Sequence, residues 1–291
     1  MTDLPPLPSV DLRGSTIVVV GASRGIGRQY AVDLAQAGAN LVLTGRGAGI
    51  APVAEAIRDD GGAAVSVQCD IRDPAPFVDA ALSEFGAIDG LVVNAGIVRD
   101  RSFAKMSTEE WSEVIDVHLG GSFACAQAVW EVMAAQRRGS IVLTISGSGL
   151  HGAFGQANYA AAKGGIIGLT KTLAIEGRRL GIRANAIAPM ALTEMTGTVF
   201  TDRMKAALRP EQISPFLMAL LDPRSTLTGE IVECGGGWGA MMRWQRSAGT
   251  VWAQGRVDTA ALGFGTEFDL PATTADSLGA ALGDPRTMHK M

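Results

Sequence analysis

This sequence predicts a doubly wound α/β fold, a parallel sheet covered by helices on both faces, and three observations carry the prediction. Short runs rich in Val, Ile and Leu alternate with longer stretches of helical period. The runs at 16–20 and 90–93 lack polar alternation, as strands buried on both faces require. The first run also feeds straight into a glycine-rich turn that opens a helix, an arrangement typical of the ligand-binding edge of such sheets.

Taken in order, strands are expected at 16–20, 40–44, 63–68, 90–93, 140–145 and 182–187, with a last one at 231–233. Helices are expected at 25–37, 52–59, 74–85, 108–137 and 156–180, and another around 210–221. Past Trp238 the character changes. A helix over 241–254 carrying Trp244 and Trp252 is expected, and after Arg256 the chain turns to Gly, Ala, Thr and Asp without clear period. The organisation read from this is an N-terminal arm (1–14), an α/β domain (15–240) and a C-terminal extension (241–291).

With 47% hydrophobic and 19% charged residues, the 291-residue chain can bury a sizeable core, which excludes global disorder. A net charge of −4 gives no general attraction to nucleic acid or to an anionic membrane surface. The first dozen residues carry prolines and acids rather than a basic start and an apolar run, so no secretory leader is expected. No apolar stretch reaches the roughly 20 residues of a membrane helix. A cytoplasmic protein is expected, and the final His289-Lys290-Met291 spells no peroxisomal address. Cys69, Cys125 and Cys234 lie too far apart for metal-ligand or disulfide spacing, so no metal is expected.

The turn Gly21-Ala22-Ser23-Arg24-Gly25-Ile26-Gly27 joins the first strand to the first helix. Glycines there admit positive φ and close backbone approach, and the N–H groups and dipole of the helix N-terminus favour a pyrophosphate. The second strand ends Leu43-Thr44-Gly45-Arg46, where an NAD-preferring site would place an acid for the adenosine ribose. Arg46 and Arg24 suit a ribose 2′-phosphate instead, which favours NADP(H) over NAD(H). The plain alternative is that Arg46 is a solvated loop residue.

Tyr159 and Lys163 stand one helical turn apart on one face. A neighbouring ammonium stabilises phenolate and lowers the tyrosine pKa, which equips Tyr159 to exchange a proton with an alcohol or ketone. Ser146, thirteen positions earlier, follows a strand end and faces the expected cleft, where its hydroxyl can donate to a substrate oxygen. Ser148 competes for that role, and Ser146-Gly147-Ser148-Gly149 also reads as a flexible turn.

On these residues the chain resembles the short-chain dehydrogenase/reductase family over about 15–239. The matching pieces are the turn 21–27, Asp70, Asn94-Ala95-Gly96, Ser146, Tyr159 and Lys163. The resemblance implies a Rossmann-type fold, a nicotinamide cofactor and interconversion of a secondary alcohol and a ketone. Tyr159 would be the acid/base, Ser146 would polarise the carbonyl and Lys163 would hold the nicotinamide ribose. Asp70 and Ile71 would approach the adenine, and Asn94, Ala95 and Gly96 would line the cofactor cleft. A homodimer or homotetramer is implied as well.

A narrower likeness, in 94–103, 117–123, 152–163, 173–178 and 236–244, is to the (3R)-hydroxyacyl-CoA dehydrogenase domain of peroxisomal multifunctional β-oxidation enzymes. His118 stands where most of the wider family has an asparagine near the lysine, and is read either as a member of a proton relay or as a structural histidine. Pro189-Met190 replaces the usual Pro-Gly before Thr193. The expected substrate is a 3-hydroxyacyl-CoA/3-oxoacyl-CoA. The alternatives are a hydroxysteroid or small ketone, or a non-catalytic dinucleotide sensor, against which the retained Ser146, Tyr159 and Lys163 argue.

Overall fold

The computed structural model describes residues 10–192 and 201–247 and the backbone of 268–269. Seven strands, β1 (Thr16–Val20), β2 (Asn40–Gly45), β3 (Ala63–Gln68), β4 (Gly90–Val93), β5 (Gly139–Thr144), β6 (Ile182–Pro189) and β7 (Ile231–Gly235), stand in the order β3-β2-β1-β4-β5-β6-β7. All six neighbouring pairs are parallel. The order reverses between β1 and β4, the switch point at which sheets of this kind open a crevice beyond the carboxyl ends of their strands. β1 and β4 are buried along their whole length, which accounts for their unbroken apolar sequences.

The helices are α1 (Gly25–Gln36), α2 (Ala51–Asp59), α3 (Ala75–Phe85), α4 (Thr108–Ile115), α5 (Gly121–Gln136), α6 (Gly147–His151), α7 (Ala157–Gly177), α8 (Asp202–Ala207) and α9 (Ser214–Leu221). α4 starts on a capping box: Ser107 Oγ accepts from Glu110 N at 3.1 Å, and Glu110 Oε2 accepts from Ser107 N at 3.0 Å. Between α4 and α5 the helix opens into a π-helical turn, Asp116–Gly120, which carries His118 inward. The expected helix over 108–137 is therefore three segments. The stretch read as a flexible Ser-Gly turn begins α6, whose N-cap is Ser146.

The C-terminal expectation is corrected. Met241 lies in a strand, β8 (Trp238–Met242), beside β7, and a two-residue strand β9 (Arg246–Ser247) pairs antiparallel with β10 (Phe268–Asp269). Gly236 and Gly237, at φ +60° and +78°, form a two-residue connection that can only reverse the chain. A helix over 241–254 is thus ruled out as far as Ser247, and Trp252 and Thr193 lie outside the described residues. The chain divides into two compact units, 1–241 and 242–291. Among the described residues, no helix is long and apolar enough to cross a membrane, and no group of side chains could hold a metal.

Candidate active site

The turn after β1 is built by glycine for steric reasons. Gly21 has φ +86°, and a Cβ there would stand 2.6 Å from the Ala95 backbone. A Cβ on Gly27 would stand 2.0 Å from Gly21 O, so only glycine lets the first turn of α1 close over the loop. Ala95 N and Asn94 N both donate to Val20 O at 2.9 Å, and Asn94 Nδ2 donates to Gly21 O at 3.4 Å. The Asn94-Ala95-Gly96 segment and the glycine turn therefore form one backbone cradle at the carboxyl ends of β1 and β4.

Beside this cradle a concavity of about 440 Å³ is lined by Ser23, Arg24, Gly25, Arg28, Gly49, Pro52 and Val53. Two guanidiniums and no carboxylate face it. Arg28, one turn after Arg24 on α1, escaped sequence reasoning, although its i,i+4 spacing was the available signal. Arg46 is exposed and lies outside this lining, but it acts electrostatically on Asp70. Hydrogen bonds from Arg72 hold the Asp70 carboxyl at about 2, with Arg46 adding to the effect. Ile71 turns into the interior, where a Cβ on Gly121 would meet it at 2.8 Å, and its carbonyl accepts from Cys125 Sγ at 3.3 Å. Its side chain is thus a packing group. The open glycine cradle and the basic concavity next to it fit a nicotinamide dinucleotide.

On the other side of the switch point stand Ser146, Tyr159, Lys163 and His118. Ser146 has extended backbone, and its Oγ accepts from Ser148 N at 3.2 Å. Ser148 Oγ points elsewhere, to Gln156 Oε1 at 2.7 Å, which separates the two competing serines. Burial pushes the Tyr159 phenol above its ordinary value, a hydrogen bond with Ser146 opposes that shift, and the Asp100 carboxylate adds to it. Lys163 is 3% exposed, its Nζ donates to Thr144 O at 2.6 Å, and burial draws its ammonium down to about 7. Lys163 Nζ lies 5.5 Å from the centre of the Tyr159 ring. The expected lowering of the tyrosine by the lysine is therefore corrected: desolvation is the largest effect on Tyr159 and raises it, and Lys163 is not among the groups that shift it.

His118 is 2% exposed and stands edge-on to the Tyr159 ring, 5.0 Å between centres. Its Nε2 lies 2.8 Å from Ile97 O and 3.1 Å from Ile97 N, while Nδ1 is buried without a partner among the described residues. According to its tautomer, Nε2 either accepts from Ile97 N or donates to Ile97 O, and in both cases the ring is fastened to Ile97. Burial first, and then the Lys163 charge, lower its pKa to about 3, which leaves the imidazole neutral.

The short chain dehydrogenase family model matches residues 15–204. The chain is 42% identical over 248 residues to the mouse peroxisomal multifunctional enzyme type 2, covering 82% of this chain and 34% of that protein. It is 41% identical over 249 residues to the peroxisomal hydratase-dehydrogenase-epimerase of Saccharomyces cerevisiae, covering 82% of this chain and 28% of that protein. The structure of full-length peroxisomal multifunctional enzyme type 2 from Drosophila melanogaster aligns with a TM-score of 0.81 at 35% identity, covering 94% of this chain and 50% of that one. The chain spans about a third of the length of these curated relatives. Their names place them in peroxisomes, so they lend no support to the expected cytoplasmic location. With the fold, the glycine turn and the Ser146, Tyr159 and Lys163 arrangement in place, the chain belongs to the short chain dehydrogenase family.

Proposed function

We propose that this chain is an NADP(H)-preferring oxidoreductase that interconverts 3-oxoacyl and 3-hydroxyacyl thioesters of coenzyme A. The observation that carries the chemistry is the convergence of Ser146, Tyr159 and Lys163 beside the glycine cradle. The substrate class rests on the likeness of 94–103, 152–163 and 236–244 to the dehydrogenase domain of multifunctional β-oxidation enzymes.

A nicotinamide dinucleotide bound along the cradle supplies the hydride. Gly21 to Gly27 would hold its pyrophosphate, Arg24, Arg28 and Arg46 a 2′-phosphate, Asp70 the adenine side, and Lys163 the nicotinamide ribose. Asn94, Ala95 and Gly96 would line the cleft. The half-buried Tyr159, its phenol raised above the ordinary value, is a neutral phenol before reaction, poised to give its proton to a carbonyl oxygen as negative charge develops there. Ser146 donates a hydrogen bond to the same oxygen. His118, neutral and fastened to Ile97, acts as a wall against the Tyr159 ring rather than as a charged relay. The protein works as a homodimer or homotetramer, for which light scattering is the check.

Steady-state rates with NADPH and NADH against acetoacetyl-CoA and a longer 3-oxoacyl-CoA test it. Reduction of the thioesters with a strong preference for NADPH is expected, and Arg46→Ala should weaken NADPH more than NADH. Cofactor binding without turnover of either thioester would overturn the substrate class and leave a hydroxysteroid or small ketone. Equal effects of Arg46→Ala on both cofactors would overturn the 2′-phosphate assignment.

A further inference from the structure

We propose that Asn158 is the positioning residue for Tyr159, holding the phenol in register with Ser146 by tying the first turn of α7 to two other elements. Asn158 is fully buried. Its Nδ2 donates to Arg99 O at 3.1 Å, just beyond the Asn94–Gly96 cradle, and to Glu110 O at 3.0 Å on α4. Its Oδ1 accepts from Tyr159 N at 2.7 Å. Both amide hydrogens and one carbonyl lone pair are thereby committed to main-chain groups of three separate segments.

Around this amide the same segments are stitched again. Arg101 N donates to Gly155 O at 2.8 Å, and Gln156 links Ser148 to Asp100 through bonds of 2.7 and 3.0 Å. Those outer links join the loop carrying Asp100 and Arg101 to α6 and the segment before α7. Asn158 alone among them bonds the Tyr159 backbone itself. The first turn of a helix has N–H groups that lack intrahelical partners, so its orientation is set by whatever side chain accepts from them. Here that acceptor is anchored to the segment leaving the cradle, so Tyr159 is indexed to the part of the chain that would hold the nicotinamide. Displacing a reacting group by about 1 Å costs on the order of 100-fold in rate. The inference rests on the proposed acid role of Tyr159.

The composition of the chain makes the test direct. It has two tyrosines, and Tyr30 is fully buried in the core, so a protein carrying 13C-labelled tyrosine rings shows two signals. Tyr30→Phe assigns them, because the Tyr30 hydroxyl has no partner to lose among the described residues. In Asn158→Ala the Tyr159 signal should move, since its ring leaves the His118 edge and the Lys163 ammonium, while the Tyr30 signal stays. The kcat for ketone reduction should fall about 10- to 100-fold, with NADPH affinity changed less than about threefold. Should Asn158→Ala fail to fold, Asn158→Ser, which supplies a hydroxyl with one donor in place of the amide's two, should shift the same signal less far. A folded variant with an unmoved Tyr159 signal would overturn the proposal. Absence of thioester turnover in the wild-type protein would sink the substrate class instead, while the ring signals still decide the positioning role.

Discussion

Replacing Lys163 with methionine should stabilise the protein while removing a group the proposed chemistry needs. Burial alone draws this ammonium from 10.5 to about 7. At about 1.36 kcal/mol per pK, that fall corresponds to roughly 5 kcal/mol lost by the native state when it holds the lysine charged. The native pKa lies below the unfolded one, so below pH about 7 both states bind the proton and the full penalty is present. Between about 7 and 10.5 only the unfolded chain binds it, so native stability rises with pH, and above 10.5 the penalty is gone. Methionine removes the penalty but leaves Thr144 O without its 2.6 Å partner, at a cost of roughly 1–3 kcal/mol. The net gain is then about 2–4 kcal/mol near pH ~6, shrinking to about zero near pH ~9. Urea unfolding of both proteins at those two pH values measures it. A Lys163→Met variant less stable than wild type near pH ~6, or a gain that grows with pH, would refute the reasoning.

Gly27→Ala should abolish cofactor binding and cost about 1–3 kcal/mol in chemical denaturation, because the new methyl falls on Gly21 O. Arg28→Ala should weaken NADPH roughly tenfold in fluorescence titration and leave NADH nearly unchanged, because a charged hydrogen bond to phosphate contributes about 1.5 kcal/mol or more. Ser107→Ala removes the N-cap of α4 and should lower stability by about 1 kcal/mol with the thioester KM unaltered.

The central sheet was legible because its inner strands are buried on both faces, so 16–20 and 90–93 carry no alternation that could mislead. The cradle was legible because its glycines answer local demands of φ and close approach at Gly21 and Gly27. The π-helical turn at 116–120 was not, since one residue inserted into a helix leaves too small a phase slip in an apolar pattern. α6 was masked by Ser146, Gly147, Ser148 and Gly149, all poor helix formers. The Gly236-Gly237 hairpin did carry its signal, but the spacing of Trp and Met beyond it suggested a helix. The Tyr159 and Lys163 spacing was readable, whereas their protonation was not, because it depends on how deeply α7 is packed, a tertiary property. Asn158 shows the same limit: an asparagine beside a tyrosine says nothing of Arg99 and Glu110 until the chain is folded.

The most direct test of the account is single-turnover reduction of a 3-oxoacyl-CoA by bound NADPH in wild type and in Tyr159→Phe. The account predicts that the variant binds NADPH as wild type does and loses the reduction step by about 100- to 10,000-fold. Reduction at the wild-type rate in Tyr159→Phe would contradict it.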